Sequence, residues 1–188
     1  MSKIKKVVLT GGPHSGKSTL IKELKEMGYP IAEEAALLVI EDLNNKIGIK
    51  AQIKFRSTNI DEFQNLIYNK QIELENKAIA FAVKYNLHLI ICDRGVYDGI
   101  TYYKLFNKKI DSQLFKNIKS THYDHVFVCE VLPNFDSRVE TGRFETIDTS
   151  KKLSTLSYDI YKHVTPDIFW IPVMSVKERL DFIIDSIS

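Results

Sequence analysis

Residues 4–20 read IKKVVLTGGPHSGKSTL, and this stretch decides the fold. Residues 4–10 have the pattern of a buried strand, and from Lys17 onward apolar residues recur at helical spacing. Between them the segment Gly11–Thr19, GGPHSGKST, satisfies the pattern G-x-x-x-x-G-K-[ST]. A strand before this pattern and a helix after it are the context of a phosphate-binding loop. They disfavour the alternative, which is a glycine-rich turn with a solvated lysine.

The residue types of this loop suit a polyphosphate and Mg²⁺. Glycines let the backbone turn so that N–H groups point inward, and the helix N-terminus adds its positive dipole end. Lys17 supplies a positive charge for the β and γ phosphates of ATP or GTP, and Ser18 offers a hydroxyl to Mg²⁺. His14 is expected to contribute mainly its backbone N–H rather than act as a base. The predicted nucleotide-binding residues are Gly11, Gly12, Pro13, His14, Ser15, Gly16, Lys17, Ser18 and Thr19.

The composition argues against several classes of protein. The chain has 188 residues, which fits one domain over 1–188, and its net charge of +2 gives no footprint of a nucleic-acid binder. No run approaches the roughly 18 apolar residues of a membrane helix, and the N-terminal apolar stretch is too short for a signal peptide. Cys92 and Cys129 lie in apolar runs that suit reduced core thiols. We expect a cytoplasmic protein without membrane insertion, and homo-oligomer formation stays open.

Strands alternate with helices along the rest of the chain. The patterns predict strands at 29–32, 87–92, 125–131 and 168–173, helices at 34–47, 59–85, 96–106, 112–119 and up to about 164, and a final helix. Residues 48–58 are expected to form a loop and residues 134–149 a small lid. We predict an α/β fold, a three-layer α/β/α P-loop NTPase sandwich with a mostly parallel sheet of about five strands. Ligands bind at the carboxyl ends of such strands.

Capping residues and buried faces are predicted for two helices. Asn59 opens the long helix with Glu62 as its capping partner, and Ser175 and Glu178 have the same spacing at the last helix. The predicted buried residues are Phe63, Leu66, Ile67, Leu74, Ala78, Phe81 and Ala82 in the long helix and Leu180, Ile183, Ile184 and Ile187 in the last.

Acidic residues follow two of the predicted strands. Asp93 comes directly after the strand at 87–92, where it can hold a Mg²⁺ water or orient an attacking hydroxyl. Arg94 beside it can offset charge that builds in phosphoryl transfer. The alternative for this pair is a helix-capping aspartate with a surface arginine. One of Glu33 and Glu34 is expected to accept a proton or bind metal, although both also suit solvated charges at a helix start.

The predicted lid at 134–149 carries Arg138 and Arg143. A segment of this kind, between a strand and a helix, suits a flap that closes over the triphosphate and excludes water. The two arginines would then reach the transferred phosphate, and the alternative is that they are solvated surface charges.

An acceptor pocket is predicted beside the long helix. Polar and aromatic residues are spaced for one side of that helix and recur at the start of the next one, which suits aromatic walls with a few polar groups. A stripe of this kind without any ligand is an equally good interpretation. The residues are Gln64, Tyr68, Gln71, Tyr97, Asp98 and Tyr102.

Several segments together carry a resemblance to a known family. They are LTGGPHSGKSTL at 9–20, EEAA at 33–36, the helix with Phe63, Gln64 and Gln71, CDRGVYDGITYY at 92–103, VFVCEVLP at 126–133 and IPVMSVKERLDFII at 171–184. In this order the chain resembles the P-loop kinase family, also labelled AAA domain or ATPase, that includes the nicotinamide riboside kinase domain of the bacterial NAD regulator NadR. The DRG segment is similar to deoxynucleoside kinases as well. The resemblance implies ATP and Mg²⁺ binding, an acid after the second strand, Asp93 and Arg94 near the acceptor, and a lid containing Arg143.

These features lead to one principal hypothesis and two rivals. The principal one is transfer of the γ-phosphoryl group of ATP to a small hydroxyl acceptor, a nucleoside or nucleoside-like metabolite. The rivals are a nucleotide-dependent binding switch or slow ATPase or GTPase with a protein or lipid partner, and a nucleotide binder without useful turnover. The chain lacks an Asn-Lys-x-Asp guanine signature, which favours ATP over GTP.

Overall fold

The computed structural model describes residues 3–133 and 146–187 of the chain. Within these residues five strands lie at Lys5–Thr10 (β1), Ile31–Ala32 (β2), Leu89–Asp93 (β3), His125–Cys129 (β4) and Ile168–Ile171 (β5). Helices lie at Lys17–Glu26 (α1), Ala35–Ile47 (α2), Ile49–Thr58 (α3), Ile60–Lys84 (α4), Asp98–Leu105 (α5), Ser112–Lys119 (α6), Ile147–Tyr161 (α7) and Val176–Ile187 (α8). This alternation confirms the predicted α/β class.

The five strands form one sheet in the order β2-β3-β1-β4-β5, and every pair is parallel. The predicted sheet was mostly parallel, and the observed one is parallel throughout. Strand β1 is central, and its Leu9 is in register with Asp93 of β3 and Phe127 of β4. Since parallel strands end at the same edge, the loop after β1 and the residues after β3 meet there.

Two apolar clusters cover the two faces of the sheet, which confirms the three layers. One face packs against α1 and α8, through residues such as Leu20 and Ile183. The other face packs against α4 to α7 and includes the fully buried rings of Tyr123 and Tyr161. Cys92 and Cys129 are buried and free, as the apolar runs predict.

Residues 48–58 were wrongly predicted to form a loop. Helix α3 occupies Ile49–Thr58 and follows α2 with only Gly48, at φ +80°, between them. The only residue of α3 that is fully buried is Gln52, which is polar. The apolar residues of α3 alternate at positions 49, 51, 53 and 55, a spacing that does not indicate a helix. Its packing against α2 and α4 decides its structure.

The buried face of α4 was predicted only in part. Leu66 and Phe81 are 39% and 48% exposed, whereas the polar residues Gln64, Gln71 and Glu75 are buried. The predicted capping bond at Asn59 is absent as well, because that side chain accepts no bond from the first turn of α4. These polar residues of α4 face the interior and not solvent, so hydrophobicity alone misassigns its inner face.

Other element boundaries agree closely with the sequence. Ser175 and Glu178 form the predicted reciprocal cap, with N–H to side-chain oxygen distances of 2.9 Å and 3.3 Å. Strands β4 and β5 end two residues earlier than predicted. Residues 147–149 of the predicted lid lie in the first turn of α7, which Thr146 caps through the amide of Thr149. The rest of the predicted lid, 134–145, lies outside the described residues.

Among the helices that are described, none combines the length and apolar character that a bilayer crossing requires.

Candidate functional site

The phosphate loop connects β1 to α1 and packs tightly against neighbouring backbone. Gly11 has φ +128°, and a Cβ there would lie 2.5 Å from the carbonyl oxygen of Cys129. A Cβ on Gly12 would lie 2.1 Å from the carbonyl oxygen of Ser150. Both positions therefore require glycine, because backbone atoms occupy the space a side chain would need. The loop is held by β4 on one side and by α7 on the other.

The ammonium of Lys17 lies inside this loop. Its Nζ donates to the carbonyl oxygens of Gly11 and Gly12 at 3.0 Å and 2.9 Å, and to Ser15 Oγ at 2.9 Å. Burial and then the nearby Arg94 lower the pKa of Lys17 to about 8. A cation held among carbonyl oxygens at the end of the central strand is placed to exchange them for phosphate oxygens.

Of the remaining loop residues, some are held from outside by hydrogen bonds and others are exposed. The carbonyl of His14 accepts a bond from the amide of Leu132 at 2.9 Å, and that of Ser15 accepts one from Arg179 Nη1 at 2.9 Å. Pro13 lines the adjoining cavity. Ser18 and Thr19 are exposed in the first turn of α1. The described loop thus has its outer carbonyls fixed from two directions.

Arg94 connects the phosphate loop to the second strand. Its Nη1 donates to the carbonyl of Gly11 at 3.0 Å and to Asp98 Oδ1 at 2.9 Å, and its Nε donates to Glu34 Oε1 at 3.2 Å. Glu34 lines the cavity, whereas Glu33 is on the surface and pairs with Lys25 at 3.1 Å. Of the two consecutive carboxylates, Glu34 is therefore the one at the cleft.

Asp93 ends β3 beside these groups. Burial and the neighbouring Glu34 raise the pKa of Asp93 to about 6, although Lys17 and Arg94 oppose the shift. Its Oδ1 is buried and has no hydrogen-bond partner among the described residues. An orphaned carboxylate oxygen at the strand ends fits Mg²⁺, which takes oxygen ligands and keeps several waters, with the exposed hydroxyl of Ser18 as a second donor. No cluster of three metal-ligating side chains occurs in residues 3–133 and 146–187.

The side chain of Asp98 mainly holds neighbouring groups of the site in place. Its carboxylate accepts four hydrogen bonds: from Thr10 Oγ1 at 2.6 Å, Arg94 Nη1 at 2.9 Å, Gly95 N at 3.1 Å and Tyr161 Oη at 2.8 Å. These donors come from β1, the segment after β3, and α7. The sequence predicted Asp98 as a wall of the acceptor pocket, and it does line the cavity, but its oxygens already bind protein groups.

A cavity opens between α2, α4 and α5 next to Arg94. Its empty volume is about 900 Å³ when its open mouth is included. Tyr97, predicted to line a pocket, does not: its hydroxyl donates to the carbonyl of Thr121, and its ring packs against Tyr123 and Tyr161. The residues that line it include Glu34, Phe63, Gln64, Tyr68, Gln71 and Tyr102.

The sequence patterns did not identify some residues of the site. Two other predicted site residues lie outside the part of the chain that the structure describes. Thr10 and Ser154 carry no motif, and only their burial and contacts reveal them. The spacing of Gln71 and Glu75, one helical turn apart, was the one available signal for Glu75. Arg138 and Arg143 lie outside the described residues, so their predicted role stays a prediction.

A parallel sheet of this order, with a phosphate-binding loop after its central strand and an Asp-Arg pair after the neighbouring strand, defines a protein with the P-loop kinase fold. The chain belongs to the family described as AAA domain, whose model matches residues 6–179. No curated protein matches the chain in sequence.

Three solved structures with a similar fold are named as deoxyadenosine kinase or thymidylate kinase. Deoxyadenosine kinase from M. mycoides with bound dATP is 18% identical at a TM-score of 0.58, and the match covers 97% of this chain and 98% of that one. Thymidylate kinase from Candida albicans is 17% identical at a TM-score of 0.60, with 100% and 92% covered. Thymidylate kinase from Ehrlichia chaffeensis is 15% identical at 0.53, with 99% and 100% covered. At these identities the likeness shows the fold.

Proposed function

We propose that this protein transfers the γ-phosphoryl group of ATP to a hydroxyl of a small nucleoside-like acceptor. One observation carries the proposal: the guanidinium of Arg94 contacts both the phosphate loop at Gly11 and the cavity carboxylate Glu34. The donor phosphates and the acceptor would therefore meet at one buried cation. Proximity of this kind is the main contribution of a protein to phosphoryl transfer.

The chain's own groups have distinct roles in this reaction. Lys17 and the loop amides bind and orient the phosphates, since a buried ammonium and inward N–H groups replace their hydration. Arg94 offsets charge that develops on the transferred group. Arg138 and Arg143 are proposed to add positive charge from the lid. Lys17 and Arg94 are both buried. Their electrostatic interactions with phosphate oxygens would therefore be stronger than in water.

Glu34 is proposed as the general base that accepts the proton of the attacking hydroxyl. It lines the cavity, and Arg94 holds one of its oxygens at 3.2 Å. Ser18 and Asp93 would hold Mg²⁺, which when bound neutralises charge shared between the β and γ phosphates. Glu33, which faces solvent, has no role in this scheme.

The cavity walls favour an acceptor with a planar ring and a sugar. Phe63, Tyr68 and Tyr102 supply aromatic surface, while Gln64 supplies an amide that hydrogen-bonds ring edges or hydroxyls. The similar structures bear names of nucleoside and nucleotide kinases, which supports a nucleoside as the first acceptor to test.

A panel of nucleosides incubated with γ-labelled ATP and Mg²⁺ tests the proposal. We expect labelled product with at least one of them, and loss of that product in Lys17→Ala. Lys22→Ala is the matched control, because Lys22 lies on the exposed side of α1 and pairs with Glu26. Label appearing only as free phosphate favours the rival slow ATPase, and transfer unchanged in Lys17→Ala contradicts the proposal.

A further inference from the structure

The backbone of Arg94 has a conformation that other residues must maintain. Its φ is +71°, in the left-handed region that disfavours residues with a side chain. Its N–H donates to the carbonyl of Leu9 at 2.9 Å, and its carbonyl accepts from Gln71 Nε2 at 3.2 Å. Backbone strain of this kind persists where surrounding contacts over-determine it. Both polar groups of the Arg94 backbone are therefore held by other elements.

The orientation of the Gln71 amide decides whether it can hold Arg94. Gln71 is buried, and its Nε2 donates both to the Arg94 carbonyl and to Glu75 Oε1, at 3.1 Å in the second case. An ionised carboxylate only accepts hydrogen bonds, so Glu75 requires the nitrogen end of the amide to face it. With the nitrogen of the Gln71 amide in this position, its second N–H donates to the carbonyl oxygen of Arg94.

Glu75 is the centre of a buried network on α4. Its Oε1 also accepts from the Tyr123 hydroxyl at 2.7 Å, and its Oε2 accepts from Lys6 Nζ at 3.0 Å. The Tyr123 hydroxyl in turn accepts from the amide of Val96 at 2.9 Å. Only 3% of the Glu75 side chain is exposed, and Lys6 offsets its charge. Glu75 thus reaches the segment after β3 twice, through Gln71 and through Tyr123.

We propose that Glu75 is a positioning residue that fixes Arg94 for phosphoryl transfer; the inference rests on the proposed function. Glu75 does not line the cavity, so it acts through its neighbours. Loss of its negative charge lets the Gln71 amide rotate, and the Arg94 carbonyl then loses its donor. The guanidinium of Arg94 shifts from Gly11, and transition-state charge is offset less well. ATP binding, which depends on the loop and Lys17, stays intact.

The isosteric variant Glu75→Gln tests this proposal, because it keeps the volume and removes the charge. We expect kcat to fall about tenfold or more while the KM for ATP stays within about twofold, the pattern of an interaction made in the transition state. Tyr123→Phe removes only the second connection and should lower kcat by a smaller factor, with the same unchanged KM for ATP.

Tyr103→Phe is the matched control for destabilisation. Tyr103 is also a buried tyrosine, and its hydroxyl donates to Asp61, outside the network. The Tyr103→Phe variant should lose about as much thermal stability as Tyr123→Phe. Its kcat should stay within about twofold of the wild-type value. Equal losses of kcat in Tyr103→Phe and Tyr123→Phe would assign the effect to general destabilisation and overturn the proposal.

A crystal structure of Glu75→Gln tests the inference without any reaction. A changed φ at Arg94, or a guanidinium that has left Gly11, supports the proposal even if no acceptor is ever found. An Arg94 that keeps its positive φ and its contacts with Gly11, Glu34 and Asp98 overturns it. Absence of transfer in the wild-type protein, by contrast, contradicts the proposed function alone.

Discussion

The amide of Gly12 donates a hydrogen bond to the hydroxyl of Ser154 at 2.8 Å, and the same hydroxyl donates to the carbonyl of Cys129 at 3.2 Å. One buried serine of α7 therefore holds the phosphate loop and the end of β4 together. Helix α7 begins at Ile147, near the end of the predicted lid at 134–149. The phosphate loop and α7 are thus parts of one packed unit.

Ser154→Ala should destabilise the protein, because it leaves buried groups of Gly12 and Cys129 unpaired. We expect a loss of about 1–3 kcal/mol in the free energy of unfolding, measured by urea denaturation. Ser150, one turn earlier, is the control: it is equally buried, but its hydroxyl has no partner among the described residues. Ser150→Ala should be neutral or stabilising. A Ser150→Ala variant as unstable as Ser154→Ala would contradict this account.

Glu34→Gln should reduce turnover strongly, whereas Glu33→Gln should not. Removal of a general base typically costs about 10²- to 10⁴-fold in rate, and only Glu34 lines the cavity. Glu33 pairs with Lys25 at the surface, so its loss should leave kcat within about twofold. Steady-state kinetics with the best acceptor measure both. The assignment of the base fails if Glu33→Gln is the more damaged variant.

Gly99→Ala should weaken acceptor binding selectively. A Cβ on Gly99 would lie 2.9 Å from Gln64 Oε1, and this flexible side chain would have to move within the cavity. We expect the KM for the acceptor to rise roughly tenfold, equivalent to about 1.4 kcal/mol, with the KM for ATP unchanged.

Gly28→Ala controls for general destabilisation in this test. It introduces strain at φ +93° where nothing lies within 4 Å of the new methyl group. Its Tm should fall without any change in acceptor KM. Gly99→Ala with wild-type acceptor kinetics would show that Gln64 does not contact the acceptor.

Stability should fall in acid partly through Asp124. Burial alone would raise the pKa of Asp124, but the amide of Lys6 and the ammonium of Lys3 outweigh it and hold that pKa below its usual 3.8. The carboxylate therefore stabilises the fold above about pH 4–5, and this contribution disappears as the pH falls through the folded pKa. The difference in unfolding free energy between wild type and Asp124→Asn should thus be largest near neutrality and shrink towards pH 3.

Asp159→Asn is the control for the acid experiment. The pKa of Asp159 is also lowered, first by its bond with Lys162, but the side chains of Asp159 and Lys162 are 46% and 44% exposed. Surface pairs of this kind contribute little, so the corresponding difference should be smaller at every pH. Urea denaturation from pH 3 to pH 7 measures both variants. A difference for Asp124→Asn that does not change with pH would contradict the assignment.

The candidate site was partly accessible to sequence reasoning. Asp93 and Arg94 follow a recognisable buried strand, so their place at the sheet edge could be predicted. The choice between Glu33 and Glu34 could not, because adjacent side chains differ only in the direction that packing of α2 gives them. The hydrogen bonds that Asp98 accepts depend on Thr10 and Tyr161, which lie 88 and 63 residues away in the chain.

The sequence by itself determined the phosphate loop, the alternation of strands and helices, and the α/β sandwich. These features depend on patterns within a few residues: glycines that let the backbone turn, and apolar periods that set strand or helix. Only the tertiary structure decided that α3 is a helix, that Gln71 and Glu75 lie inside, and that Glu34 faces the cleft. Those outcomes arise from contacts between distant segments, where the partners of a buried polar group, and not its own hydrophobicity, determine its position.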